Sequence, residues 1–164
     1  MPRANRTRGN MFRGFEMQRK TVLILGFILA AAVALCAHGE EHKPINVGTA
    51  HGLPFSDGML AGNTLYIAGQ GGDDESGQLV PGGIVAETKV TLANVKKVVK
   101  AAGLEMKDIV SVTVYLADFK EFPAMNEVYK EVMPDPKPVR TTIQVAGLMN
   151  NARIEITAIA VKRR

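Results

Sequence analysis

The sequence predicts an α+β domain: a mixed sheet with two helices packed on one face. Three observations carry that expectation. β-Branched, alternating segments lie on both sides of the middle of the chain, two amphipathic segments with helical spacing interrupt them, and their order reads β-β-β-α-β-α-β-β. With 164 residues, 46% of them hydrophobic, the chain suits one domain with a real core. A single Cys excludes an intrachain disulfide framework and a Cys-rich zinc site.

The chain opens with a leader, residues 1–37. Val22 to Ala37 reads VLILGFILAAAVALCA, an uncharged run directly after Arg19 and Lys20. A basic region, a short apolar run and small residues at its end describe a secretory signal peptide, and the run is short for a membrane span of about 20 residues. Cleavage is expected after Ala37 or Gly39, which exports the remainder to the periplasm or medium. Cys36 is a secondary candidate for lipidation; that lipid, or an uncleaved signal, is the expected route to a membrane. Met17 opens MQRKTVLIL, an alternative start. Residues 38–164 form the domain.

Ile45–Val47 is a short candidate strand. Segments 56–61 and 64–68 flank Gly62-Asn63, a two-residue turn signal, and form a hairpin. GQGGDDESGQLVPGG, residues 69–83, is a loop. Val85, Thr88, Leu92, Val95, Val99 and Ala102 then recur at spacings of three and four, the stripe of a helix ended by Gly103. DIVSVTVYLA, residues 108–117, is a strand. Phe122, Met125, Tyr129 and Val132 or Met133 mark a second helix, stopped by Pro134 and Pro136. Segments 140–146 and 153–161 are the final strands, joined as a hairpin through GLMNN.

In the last strand Ile154, Ile156, Ala158 and Ala160 oppose Arg153, Glu155, Thr157, Ile159 and Val161. The aliphatic side belongs under the helices. The other side, to which Arg140 is also assigned, is semi-polar yet too apolar to be left wet, so an oligomer is expected.

Charge argues against one class of function, nucleic-acid binding. The formal net charge is +4, but the leader holds six of the 20 Lys/Arg and one of the 16 Asp/Glu. Residues 38–164 keep 14 basic against 15 acidic residues, a net of −1, without the basic stripe of a nucleic-acid footprint. His38, His42 and His51 have no acidic partner at ligand spacing, and GQGGDD lacks the GK[ST] ending of a phosphate loop. Cys36 leaves with the leader.

Arg140 and Glu155 remain. Arg140 opens a strand, and its fork of donors suits a carboxylate. Glu155 sits mid-strand in RIEIT, where a carboxylate requires a partner or a task. If the hairpin pairs residues whose numbers sum to an odd value, both side chains emerge on one face, and an anion clamp and an acid–base group share a cleft. The alternative is a structural ion pair at a subunit interface. Asn126 lies on the second helix's apolar stripe and needs partners; the Gly69-Gln70 backbone is the candidate. Phe55 and Tyr129 are packing residues or walls of the cleft.

The stretches LYIAGQ, NVKKVVKAAG, IVSVTVYLADFKEFPAMNEVY, PVRTT and ARIEITAIAV resemble the Rid/YjgF family of enamine/imine deaminases, over residues 44–164. The resemblance implies a chorismate-mutase-like α+β unit with a six-stranded sheet, assembled as a homotrimer with clefts between subunits. It implies hydrolysis of 2-imino or 2-enamino acids to 2-keto acids and ammonia without a metal or organic cofactor. Arg140 matches the arginine that grips the substrate carboxylate, and Glu155 the glutamate that positions or activates water. Gly69 matches a backbone contact in the cleft, and Asn126 the helix asparagine. Phe55 stands where the family commonly has Tyr, Ala68 where Ser is frequent, and Thr142 where many members have Cys. Two other readings stay open: a non-catalytic binder of small carboxylates, and the RNA-cleaving or translation-inhibiting activity of older family labels.

Overall fold

A computed structural model describes residues 42–48 and 54–163. The expected signal peptide, Met17, Cys36, His38 and His51 lie outside the described residues. Six strands form one sheet: β1 (His42–Ile45), β2 (Gly58–Ala61), β3 (Thr64–Gln70), β4 (Ile109–Leu116), β5 (Val139–Gln144) and β6 (Ile154–Val161). Two helices accompany them, α1 (Gly83–Ala101) and α2 (Phe122–Val132). The strand order is β1-β2-β3-β6-β4-β5, antiparallel throughout except between β4 and β5. The expected mixed six-stranded sheet with two helices is present.

The first hairpin forms as anticipated, with Ala61 paired to Thr64 across the turn. Gly62 takes a φ of 56°, which a residue without Cβ adopts at little cost. β1 is displaced from 45–47 to His42–Ile45 because Val47 donates its N–H to Asp57 Oδ2, at 2.7 Å, instead of joining a ladder.

α1 ends as its sequence implies. Gly103, at φ 76°, donates to the Lys100 carbonyl, and Leu104 donates to that of Val99, the paired bonds of a Schellman cap. Its buried stripe keeps Thr88, Leu92, Val95 and Val99 but runs through Ile84 and Glu87, while Val85 is exposed. On α2 the choice at the C-terminal end falls to Met133, which is buried; Val132 faces out. Leu65, Leu92, Val98, Leu116, Met125 and Ile156, each fully buried, join both helices and the sheet in one core.

The last two strands are not a hairpin. β4 lies between β5 and β6, parallel to β5 and antiparallel to β6. Parallel neighbours require a crossover, and α2 supplies it between β4 and β5. Segment 145–153 then carries the chain past β4 to β6.

This topology corrects the face assigned to Arg140. Arg140 stands opposite Val112, and Val112 opposite Ala158, so Arg140 is on the helix side at the sheet's edge. Thr141 and Ile143 take the open face, with Glu155, Thr157 and Ile159 of β6. That open face keeps apolar surface: Met59, Tyr66, Ile143 and Val161 are exposed, and Val139 is 71% exposed. A depression of about 220 Å³, lined by Tyr66, Ser111, Thr113, Thr157 and Ile159 among others, sits in its middle.

A candidate active site in two halves

The sheet register separates the two residues singled out from the sequence. Arg140 is level with Val112 and Ala158, Glu155 with Tyr115. Two strand spacings of about 4.8 Å and three residues of about 3.3 Å each lie between their backbones. The odd offset places the side chains on opposite faces. Within one chain they do not share a cleft.

The first half gathers around Arg140. Its Nη2 donates to Asn126 Oδ1 at 2.8 Å. Asn126 therefore serves the guanidinium and not the Gly69-Gln70 backbone, because α2 lies over the β5 edge. The guanidinium carbon sits 4.4 Å from the centroid of the Tyr129 ring and 5.7 Å from that of Phe122. Phe122 is stacked on Phe119, with centroids 6.0 Å apart. Among the described residues no carboxylate pairs with Arg140. Burial pushes the Tyr129 phenol above its ordinary pKa, partly opposed by the Arg140 charge. Its hydroxyl is buried and finds no partner among the described residues.

The second half gathers around Glu155. Its side chain occupies the space beside Gly69: a Cβ built there would lie 2.6 Å from Glu155 Cδ. Glycine at 69 thus leaves room for the carboxylate. Phe55, 59% exposed, leads into β2. Ala68 donates to the Asp57 carbonyl at 2.9 Å, which extends the β2–β3 ladder and brings Phe55 to the Gly69 end of β3.

A buried carboxylate that the sequence reading passed over steadies this half. Glu87, 2% exposed on α1, accepts from the Arg153 backbone N–H at 2.7 Å and lies 3.7 Å from Arg153 Nε. Arg153 also pairs with Glu121. Gly72 packs so closely that a Cβ on it would meet Glu87 Cα and Cβ at 2.9 Å. Glu87 thus holds the start of β6 and the loop after β3 on either side of the Gly69–Glu155 contact. Its place on the α1 stripe was the available signal, since a carboxylate there requires partners.

The glycine-rich segment after β3 is a loop, as expected. Asn94 of α1 donates to the Gly71 and Asp73 carbonyls at 3.1 and 2.9 Å. Asp74 Oδ1 accepts from Ser76 and Gln78, and these bonds hold its carboxyl below the usual range. Among the described residues no cluster of His, Cys, Asp and Glu could hold a metal ion.

An α+β chain with, among the described residues, a guanidinium free of carboxylates on one sheet face and a glycine-backed carboxylate on the other defines a class of small domains that carry two separate polar half-sites. The chain belongs to the Rid/YjgF family, whose model, described as Endoribonuclease L-PSP, matches residues 49–162. A goat protein named 2-iminobutanoate/2-iminopropanoate deaminase is 47% identical over 110 residues, which is 66% of this chain and 80% of that one. The human protein of the same name is 44% identical over 110 residues, with the same coverage. Among solved structures, RidA from the Antarctic bacterium Psychrobacter sp. PAMC 21119 superposes with a TM-score of 0.69 at 32% identity, covering 73% of this chain and 99% of that one. TdcF of E. coli, solved with bound serine, gives a TM-score of 0.69 at 32% identity, covering 74% and 99%.

Proposed function

We propose that this protein is an enamine/imine deaminase, a hydrolase acting on C–N bonds, which converts small 2-imino acids to 2-keto acids and ammonia in clefts between the subunits of a homotrimer. The observation that carries the reading is the Arg140 guanidinium, hydrogen-bonded to Asn126 yet facing no carboxylate among the described residues. Relatives named as imine deaminases at 44–47% identity support it.

Arg140 holds the substrate carboxylate through charge-assisted hydrogen bonds. Glu155 orients a water and takes up its proton as the oxygen bonds to C2 of the imine. The C=N π bond opens and the nitrogen gains that proton, giving a carbinolamine. Its hydroxyl proton then passes by way of Glu155 to the nitrogen as the C–N bond breaks, so that ammonia leaves and the new C=O belongs to the 2-keto acid. Phe55 walls the cleft, and the backbone at Gly69 contacts the substrate beside Glu155. The half-sites lie on opposite sheet faces, so a cleft takes Arg140 from one copy and Glu155 from the next. The apolar open face supplies surface for that assembly. Export by the leader completes the reading, and N-terminal sequencing of the mature chain tests that part.

The test is complementation. Arg140→Ala and Glu155→Gln trimers are each expected to lose acceleration of 2-iminopropanoate hydrolysis. Subunits of the two mixed one to one and reassembled regain about a quarter of wild-type activity, because each mixed trimer holds one intact cleft. A mixture as inactive as its parents overturns the shared cleft. Keto-acid binding without turnover in the wild type leaves only a carboxylate-binding protein.

A further inference from the structure

The ring beneath Arg140 has no role in the reading above. Tyr129 is 5% exposed, its ring lies 4.4 Å from the guanidinium carbon, and its hydroxyl has no partner among the described residues. A tyrosine buried for its hydroxyl would find that hydroxyl a partner. Here the group in use is the π face. Arg140 projects from β5, which pairs with β4 on one side, and among the described residues no second strand confines its long side chain. Asn126 holds Nη2 alone, a contact about which the guanidinium can still swing. Stacking on Tyr129, with Phe122 at 5.7 Å, removes that freedom. The edge of the guanidinium, where the remaining N–H donors lie, is left free to meet a carboxylate.

We infer that Tyr129 is a positioning residue for substrate binding: its ring holds the Arg140 guanidinium in the plane from which the donors grip the carboxylate. The inference rests on the proposed role of Arg140 and adds to it. The carboxylate is bound in substrate and transition state alike, so a loosened Arg140 weakens ground-state affinity and spares the chemical step.

Tyr129→Phe keeps the ring and removes the hydroxyl; Tyr129→Leu keeps an apolar filling and removes the ring. Each is prepared as the full assembled protein, checked by light scattering and thermal melting, and titrated with 2-oxobutanoate. Hydrolysis of 2-iminobutanoate is followed in parallel. The Phe variant is expected to retain wild-type affinity. The Leu variant is expected to bind 2-oxobutanoate about fivefold more weakly and to raise KM similarly, with kcat unchanged. Wild-type affinity in the Leu variant, or an equal loss in the Phe variant, overturns the inference. Should the Leu variant not assemble, pentafluorophenylalanine at position 129 takes its place: it keeps the ring's shape and reverses its quadrupole, and an undiminished affinity there is equally fatal. A wild-type protein that binds the keto acid but hydrolyses no imine refutes the deaminase reading alone, since the ratio of affinities still reports on Tyr129.

Discussion

Gly69 and Glu155 are in contact across β3 and β6, and the contact exists because position 69 has no side chain. A Cβ there would fall 2.6 Å from Glu155 Cδ and 3.1 Å from Cγ. The obstructed atoms belong to the flexible end of a side chain, so the protein can accommodate a methyl group only by moving the carboxylate.

Gly69→Ala is therefore expected to lower imine hydrolysis at least tenfold, with a shift in melting temperature of only a few degrees. Steady-state kinetics and thermal unfolding on the same preparation check it. Full activity with an added methyl group would detach Glu155 from the chemistry.

Glu87→Ala removes the acceptor of the Arg153 N–H and a partner of its guanidinium. Because Arg153 is half exposed, the ion pair itself is screened and most of the loss comes from the unsatisfied N–H. Destabilisation of about 1–3 kcal/mol is expected, against less than about 1 kcal/mol for Glu87→Gln, which keeps an acceptor. Urea unfolding midpoints distinguish the two.

Stability at high pH follows from Tyr129. Burial raises its pKa in the folded protein above the unfolded value, so the fold favours the neutral phenol. That contribution is complete below the ordinary value near 10 and is lost as pH rises through the folded value. Melting temperature is expected to fall between about pH 9 and pH 11 in the wild type, and to fall less in Tyr129→Phe.

Leu92, 1% exposed, packs in the core shared by α1 and the sheet. Leu92→Ala is expected to cost about 2–5 kcal/mol, and chemical denaturation reads it. It lies on no half-site, so activity of the folded fraction is expected to persist at low temperature.

Periodicity made most of the fold legible. The turn at Gly62, the helix end at Gly103 and the strand over 109–116 each follow from local chemistry that neighbours reinforce. β1 was misplaced by three residues because Asp57, distant in sequence, takes the N–H that would have extended it. Glu87 escapes a reading of the sequence, and Tyr129 reads there only as packing or a wall of the cleft, because their partners, Arg153 and Arg140, come from other elements.

The sequence by itself determined the two helices, the six strands and the residue types able to hold an anion and move a proton, since hydrophobic spacing and side-chain chemistry are local properties. Only the tertiary structure decided which face each group occupies. α2 crosses from β4 to β5 and puts β4 between the last two strands, so Arg140 and Glu155 end on opposite sides of the sheet. Strand alternation repeats every two residues and records no partner; the partner is chosen by how the helix packs.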